Sequence, residues 1–418
     1  MKRLLQINPV IRTNTSTGRI MQEIGELAMQ HGWESYIAYS YGRDGHRPCQ
    51  SHLLPVGNKL SVLWHGVQPR LFDRHGLASA QATRRFIQQI EALQPDIIHI
   101  HNIHGYFLNY PILFDYLAHC NTPVVWTIHD CWLYTGHCYY YSYAQCDKWK
   151  TGCGNCPQKR EFPASLFLDR SRQNFADKQR AFTAIPPERL TIVPVSEWIR
   201  TEMSYSFLRN AHYQVIHNGI NTEVFNIYDT TAVKARYGLQ GKRIYLGVAS
   251  IWCEAKGLYD FIKLARQLHP DEVLVLIGIG EKERKLLPPG VVAISRTENI
   301  RQMAELYAAA NAFINLTWQD NYPTVNLEAI ACGTPVITYR TGGSVEAVTP
   351  QTGCVVEQGD IHAVLQAART IAAQGKEQFT KQCRQYAEAH FKKTDRYAEY
   401  LNLYEQLILA RNHHSHCE

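Results

Sequence analysis

The chain has 418 residues, 45% of them hydrophobic and 19% charged, with 43 Lys and Arg against 37 Asp and Glu for a formal charge of +6. These proportions are ordinary for a globular enzyme of two α/β domains, each able to bury its own core, and no apolar run approaches the length that spans a bilayer. The mild positive balance suits an anionic substrate such as a nucleoside diphosphate or a negatively charged membrane face, and equally an unspecialised solvated surface.

Leu4–Asn8 reads as a first strand, followed by the loop Pro9–Thr17 and an apolar stripe Ile20, Ile24, Leu27, Ala28 at helical spacing. Gly18 therefore sits at the first strand-to-helix turn, where α/β folds bind ligands, or else simply follows an N-cap by Thr17. Strands are expected at Ser35–Ser40, Asp96–His101 and Val124–His129, with helices at Ser79–Leu93 and Pro111–His119 between them. That alternation argues for a parallel, doubly wound sheet. His99 and His101 share one strand face by period-two alternation. His99 is expected as a structural histidine, and His101 and Asn102, at the carboxyl end, as ligand contacts. The next strand ends in Thr127-Ile128-His129-Asp130, where Asp130 is read as an orienting partner of His129 or as a helix cap.

An aromatic, turn-rich stretch follows, with Cys131, Cys138, Cys146, Cys153 and Cys156 within 26 residues. Met1-Lys2-Arg3 leads into too short an apolar segment for an export signal, so these are expected as thiols in a cytoplasmic protein. Cys138, Cys146, Cys153 and Cys156 have the number and type of ligands of a closed tetrahedral zinc site, with His137 and Cys131 in reserve. Such a site would be structural, giving order to a segment with little periodicity. An iron–sulfur cluster and free thiols in a loop are the alternatives.

Thr191–Val195 is a further strand, and Ser196-Glu197-Trp198 opens a helix. The passage Asn218-Gly219-Ile220-Asn221-Thr222-Glu223-Val224-Phe225 follows, where Asn221 can make a turn through its side chain. The α/β rhythm then restarts: strand Ile244–Ser250, the turn to Lys256-Gly257, helix Leu258–Leu268, strand Val273–Ile277, and strand Val291–Ser295 before Arg296. Next come helix Ile300–Ala310 and strand Ala312–Leu316, which runs into Thr317-Trp318-Gln319-Asp320-Asn321-Tyr322-Pro323. The helix Thr324–Cys332 follows, ends at Gly333, and gives way to strand Pro335–Tyr339. Its amino-terminal amides and dipole suit phosphates, while Asp320 and Glu328, with seven residues between them, suit hydroxyl groups. Ile361–Ala373, Glu377–Phe391 and Thr394–Leu409 read as helices.

The string from Asp320 through Glu328-Ala329-Ile330-Ala331-Cys332-Gly333-Thr334-Pro335-Val336 resembles the acidic pair and following segment of the retaining glycosyltransferases of family 4. Asn218–Phe225 and Thr341-Gly342-Gly343-Ser344-Val345-Glu346 resemble further passages of the same family. The resemblance implies an α/β GT-B architecture: two Rossmann-like domains facing a cleft, with the C-terminal helix packing back on the first. The implied domains are 1–218 on the acceptor side with the insert 131–157, 219–392 binding the nucleotide sugar, and 393–418 returning to the first. It implies transfer, with retention, of a hexose from a nucleotide diphosphate sugar to a hydroxyl of a glycan or lipid-linked acceptor in bacterial polysaccharide or O-antigen assembly. The alternatives are a GT-B nucleotide-sugar epimerase or hydrolase, and a non-catalytic binding module that uses the cysteine insert.

In the implied site Asp320 holds the hexose, Glu328 holds the ribose, Lys256 holds the diphosphate, and His129 contacts the sugar or its acceptor. Gly18, Ser250, Arg296 and the run Asn321, Tyr322, Pro323, Thr324 and Val325 shape the donor pocket. His101, Asn102 and Asp130 lie on the acceptor side. No metal is expected at the donor and no nucleic acid as partner; peripheral contact with the inner face of the plasma membrane is allowed for. This chain departs from the family pattern in having Asp at 320 where Glu is usual, and Ser250-Ile251-Trp252 where an Arg is usual. Arg19, Arg296 and Arg340 are candidates to supply that missing cation.

Overall fold

The computed structural model describes residues 1–12, 15–43 and 49–415; residues 13 and 14 of the Pro9–Thr17 loop lie outside it. Two compact units divide the chain, one of residues 1–217 with 396–418 and the other of residues 218–395.

The first unit is built on seven parallel strands: β1 (Arg3–Ile7), β2 (Glu34–Ser40), β3 (His52–Val56), β4 (Ile97–Ile100), β5 (Val124–Ile128), β6 (Leu190–Pro194) and β7 (His212–Tyr213). Their order is β3-β2-β1-β4-β5-β6-β7. Every residue of β4, β5 and β6 is buried, as expected for parallel strands covered on both faces. The connecting helices are α1 (Ser16–Gln30), α2 (Lys59–Phe72), α3 (Ala80–Leu93), α4 (Tyr110–His119), α5 (Ser171–Phe182) and α6 (Glu197–Met203). The cap of α1 is Thr15, whose side chain accepts from Gly18 N–H, rather than Thr17. β3, α2 and α5 have no counterpart in the sequence reading, and the reason is local. β3 exposes most of its side chains and carries Pro55, while α2 contains Pro69 and turns apolar residues outward.

The second unit has six parallel strands: β8 (Arg243–Val248), β9 (Glu272–Ile277), β10 (Val292–Ile294), β11 (Ala312–Asn315), β12 (Val336–Tyr339) and β13 (Gly353–Val356). They lie in the order β10-β9-β8-β11-β12-β13. The helices are α7 (Thr231–Arg236), α8 (Leu258–Ala265), the short α9 (Glu281–Arg284), α10 (Ile300–Ala309), α11 (Thr324–Ala331), α12 (Ile361–Gln374) and α13 (Lys376–His390). The crossing segment makes the expected turn: Asn221 Oδ1 accepts from the amides of Glu223 and Val224. Arg384 of α13 then donates to the carbonyls of Thr222, Phe225 and Ala331.

The last helix, α14 (Lys393–Ser415), packs on the first sheet. Tyr397, Tyr400, Leu403, Tyr404 and Ile408 form a core with Leu4, Ile24, Ile97, Val125 and Val193. Two of its hydroxyls enter that sheet's polar interior, Tyr400 accepting from Thr127 Oγ1 at 3.1 Å and Tyr404 bonding His99 Nδ1 at 2.7 Å. His99 Nε2 bonds Thr127 Oγ1 at 2.8 Å, so both ring nitrogens of this buried residue are committed to structure.

Candidate active site

Each sheet reverses its strand order once, between β1 and β4 and between β8 and β11, and such switch points open a crevice at the strands' carboxyl ends. Most of the sequence-predicted residues lie at these two places; Arg296 and the cysteines of the insert do not.

In the second unit the loop after β8 and the turn after β11 are tied to each other. The Trp318 amide donates to the Ala255 carbonyl at 2.9 Å. Gly257 has φ 75°, and a Cβ there would lie 2.2 Å from the Leu316 carbonyl oxygen, so only glycine permits the approach. That approach brings Lys256 to the end of β11, where its Nζ meets Asp320 Oδ2 at 2.6 Å. In the stretch Ser250-Ile251-Trp252, which lacks the family's usual Arg, Trp252 is a core residue whose Nε1 donates to the Ile277 carbonyl, and Ser250 and Ile251 are exposed. Arg340 is held at the surface by Glu357 at 2.6 Å, and Arg296 is exposed after β10. Arg19 lies on α1 in the first unit.

α11 begins immediately beyond. Pro323 is its N-cap with φ −69°, Asn321 and Tyr322 are buried, and Thr324 and Val325 are half-buried at the helix start. Glu328, one turn further on, is 7% exposed and accepts from Tyr307 OH of α10 at 3.0 Å. The helix start is locked by a buried network that sequence reasoning missed. Asn326 Nδ2 donates to Ser344 O and Oγ, its Oδ1 accepts from Asn315 Nδ2, and Ser344 Oγ bonds Thr338 Oγ1 at 2.7 Å. Beneath the turn, buried Asp260 accepts from Trp318 Nε1 at 2.8 Å and from Tyr339 OH at 3.2 Å. These partners come from four different elements, so no local motif marks them.

In the first unit a recess of about 210 Å³ at the ends of β4 and β5 is lined by His101, Asn102, His104, His129, Asp130 and Trp132, among others. Gln6 Nε2 donates to the Met21 carbonyl at 2.9 Å, which turns its Oε1 toward His101 Nε2 at 3.0 Å. His101 must then donate from Nε2, leaving Nδ1 to accept from His129 Nε2 at 3.2 Å. Burial keeps both rings neutral: His101 is pushed well below the usual histidine range and His129 down to about 4. His101 is thus placed to orient His129, with neither ring nitrogen left over for a ligand. Asp130 accepts from His104 Nε2 and from the Trp132 amide. Burial alone would raise this carboxyl, but His104 and the amide outweigh it and hold it below its ordinary value. The His104–Asp130 pair is a second feature that the spacing of the sequence did not reveal. Gly18 is buried, and a Cβ there would meet the Arg12 carbonyl oxygen at 2.4 Å, so its glycine serves the loop's own packing.

The insert after β5 holds a second recess of about 310 Å³, lined by Cys138, Cys146, Cys153 and Cys156 together with His137. His137 is 3% exposed; its Nδ1 meets Asp73 Oδ1 at 2.7 Å, while its buried Nε2 has no partner among the described residues. Asp73 on one ring nitrogen and a vacant second nitrogen match the outer-shell pattern of metal-bound histidines. Among the described residues, however, no three His, Cys, Asp or Glu side chains are arranged as one ion's ligand set, so holding a metal requires these side chains to turn inward.

Two doubly wound parallel units, each with polar side chains gathered at its switch point, make up the GT-B architecture. Residues 17–224 match the family model "Glycosyltransferase Family 4", and residues 242–374 match "Glycosyl transferases group 1". The chain belongs to this glycosyltransferase family. It is 24% identical, over 97% of its length and all of the relative's, to the putative colanic acid biosynthesis glycosyl transferase WcaC of Escherichia coli. Its fold is that of sucrose-phosphate synthase from Thermosynechococcus elongatus, with TM-score 0.71, 16% identity and coverage of 98% and 100% of the two chains. The same holds for Anabaena HepE, solved with UDP and glucose, at TM-score 0.69, 13% identity and coverage of 97% and 100%.

Proposed function

We propose that this glycosyltransferase moves a hexose from a nucleotide diphosphate sugar, with retention, to a hydroxyl of a glycan or lipid-linked acceptor in surface-polysaccharide assembly. The observation that carries the reading is the Lys256–Asp320 pair at the switch point of the second sheet, on the turn that leads into the helix of Glu328. An incoming diphosphate competes with Asp320 for Lys256. Once exchanged, Lys256 and the amides at the start of α11 bear on the phosphate charge, which grows as the glycosidic bond breaks. The released Asp320 carboxylate then accepts from hexose hydroxyls, and Glu328, held by Tyr307, accepts from the ribose. Departure of the diphosphate with the acceptor proton needs no metal at the donor. The names of the two relatives above, one from colanic acid synthesis and one solved with UDP and glucose, support the substrate class. In the first unit, neutral His129, held by His101, is a hydroxyl contact, with Asn102 and Asp130 beside it.

Thermal shift with uridine and guanosine diphosphates, followed by product analysis with and without acceptor, tests the reading. A glycosylated acceptor is the expected product; free sugar or an epimer as the main product overturns it.

The cysteine insert is proposed as a structural zinc site drawn from Cys138, Cys146, Cys153 and Cys156, with His137 able to replace one of them. Zinc would supply cross-linking to a segment with little regular structure. Elemental analysis of the purified protein is expected to find one equivalent, and its absence from protein prepared without chelators ends the proposal. The place of action is proposed as cytoplasmic; among the described residues no helix is long and apolar enough to cross a membrane.

A further inference from the structure

Helix α2 is built the wrong way round for a core helix. Its inward side buries His65, Gly66 and Pro69, while Leu60, Leu63 and Trp64 are 76%, 66% and 57% exposed. Val67 and Leu71, half-exposed, continue the same stripe at helical spacing. At the far end of the helix the Leu166 amide donates to the Arg70 carbonyl at 2.8 Å. That bond sets the segment Leu166-Phe167-Leu168 beside the stripe, with all three side chains more than half exposed. Phe162, also exposed, packs its ring edge on Tyr106, which in turn lies against His65 of α2. The Leu166–Arg70 bond thus places the outward stripe and the segment 166–168 next to each other on the first unit. Contiguous exposed apolar surface of this kind marks a contact with a protein or a membrane.

The charges around it select between those partners. Lys59, Arg74, Arg160 and Arg172 are exposed and enter no ion pair among the described residues. Of the nearby acids, Asp73 is buried against His137, and Asp169 is taken up by the amides of Cys156 and Ser171. Among the described residues 59–74 and 160–172, Glu161 and Asp169 are the acids left exposed, fewer than these four cations. A second copy of the chain would present the same uncompensated cations across a two-fold contact, which opposes self-association. An anionic lipid surface complements both parts at once: leucines and aromatic rings enter the boundary between headgroups and acyl chains, and Lys and Arg meet the phosphates.

We propose that the outward stripe of α2 and the segment 162–168 form a docking surface for an anionic membrane face. The inference does not depend on the transfer chemistry, because vesicle binding is read with neither donor nor acceptor present.

The test is co-sedimentation of the full chain with vesicles of phosphatidylcholine alone and of phosphatidylcholine mixed with phosphatidylglycerol. Binding is expected to the mixed vesicles only, and to weaken with salt. The double variant Leu63→Ser/Trp64→Ser should reduce it about tenfold or more while keeping the melting temperature near that of the parent, since both side chains are mostly exposed. Lys59→Glu/Arg160→Glu should remove the preference for phosphatidylglycerol. Leu286→Ser, an exposed leucine of the second unit, should change neither. The proposal is overturned if the parent chain ignores mixed vesicles or if the Leu63/Trp64 variant binds them as the parent does. It is also overturned if the parent forms a dimer that this variant abolishes.

Discussion

The two units share one strand order around their switch points, yet they place opposite chemistry there. The second unit offers charge: a half-exposed Lys256–Asp320 pair, a helix start, and Glu328 held by a tyrosine hydroxyl. The first unit offers neutral rings, since burial keeps His101 and His129 uncharged and a glutamine fixes which nitrogens donate. Topology therefore decides where a site lies and leaves its electrostatics to a few side chains. A diphosphate calls for the first kind of site, and an uncharged hydroxyl can be held by the second without paired charge.

The largest effect that should separate the two is loss of Lys256. Lys256→Ala, and likewise Glu328→Ala, is expected to lower the transfer rate about 10²- to 10³-fold with the fold retained, as circular dichroism and initial rates would show. Unimpaired transfer by Glu328→Ala would refute the assignment of the second unit's site. His129→Ala should cost less, about 10- to 100-fold. It should also leave the thermal shift by nucleoside diphosphate untouched, because the nucleotide is assigned to the other unit. A loss of nucleotide binding in this variant would erase the distinction.

Gly257→Ala probes the backbone beneath the charged site. A Cβ 2.2 Å from the Leu316 carbonyl, at φ 75°, is expected to destabilise the second unit by about 2 kcal/mol or more, seen as a lowered denaturation midpoint. Gly238→Ala, with φ 65° and nothing within 4 Å of its Cβ, should cost only the smaller backbone penalty.

The smallest effect is in acid. His99, His101 and His129 have folded values depressed below that of the unfolded chain, so the neutral rings stabilise the native first unit above about pH 6.5. That stabilisation is lost as the pH falls toward 4, where the unfolded chain binds protons that the folded one resists. In the second unit Glu272 is buried, which would raise its carboxyl, but Arg369 and the His269 amide bring it down to about 2. Its contribution holds above about pH 4.5 and fades only toward pH 2. Hydrogen-exchange protection factors, corrected for the intrinsic pH dependence, should therefore fall between pH 6.5 and 4.5 at β4 and β5 before β8 and β11.

Several features were legible in the residues alone. The strand–helix rhythm, the Asn221 turn, the Lys256-Gly257 bend and the start of α11 are each written within a few neighbouring positions, where periodicity, glycine and proline act directly on the backbone. His99 as a structural residue also followed from its place inside a buried strand. What stayed hidden was set by partners distant in sequence. His101 lies 95 residues from Gln6 and 28 from His129, and Trp318 lies 58 from Asp260, so no window of sequence contains either arrangement. The sequence also left α2 unread, because its apolar stripe faces away from the core and its buried face is His, Gly and Pro. Hydrophobic periodicity reveals which residues share a face, while only the packed chain decides whether that face turns inward. By itself the sequence determined two α/β units and the residues at their strand ends. The tertiary structure decided which of those residues stand in pairs, which are neutral, and which surface is left apolar, because those outcomes depend on contacts between segments that chain order does not bring together.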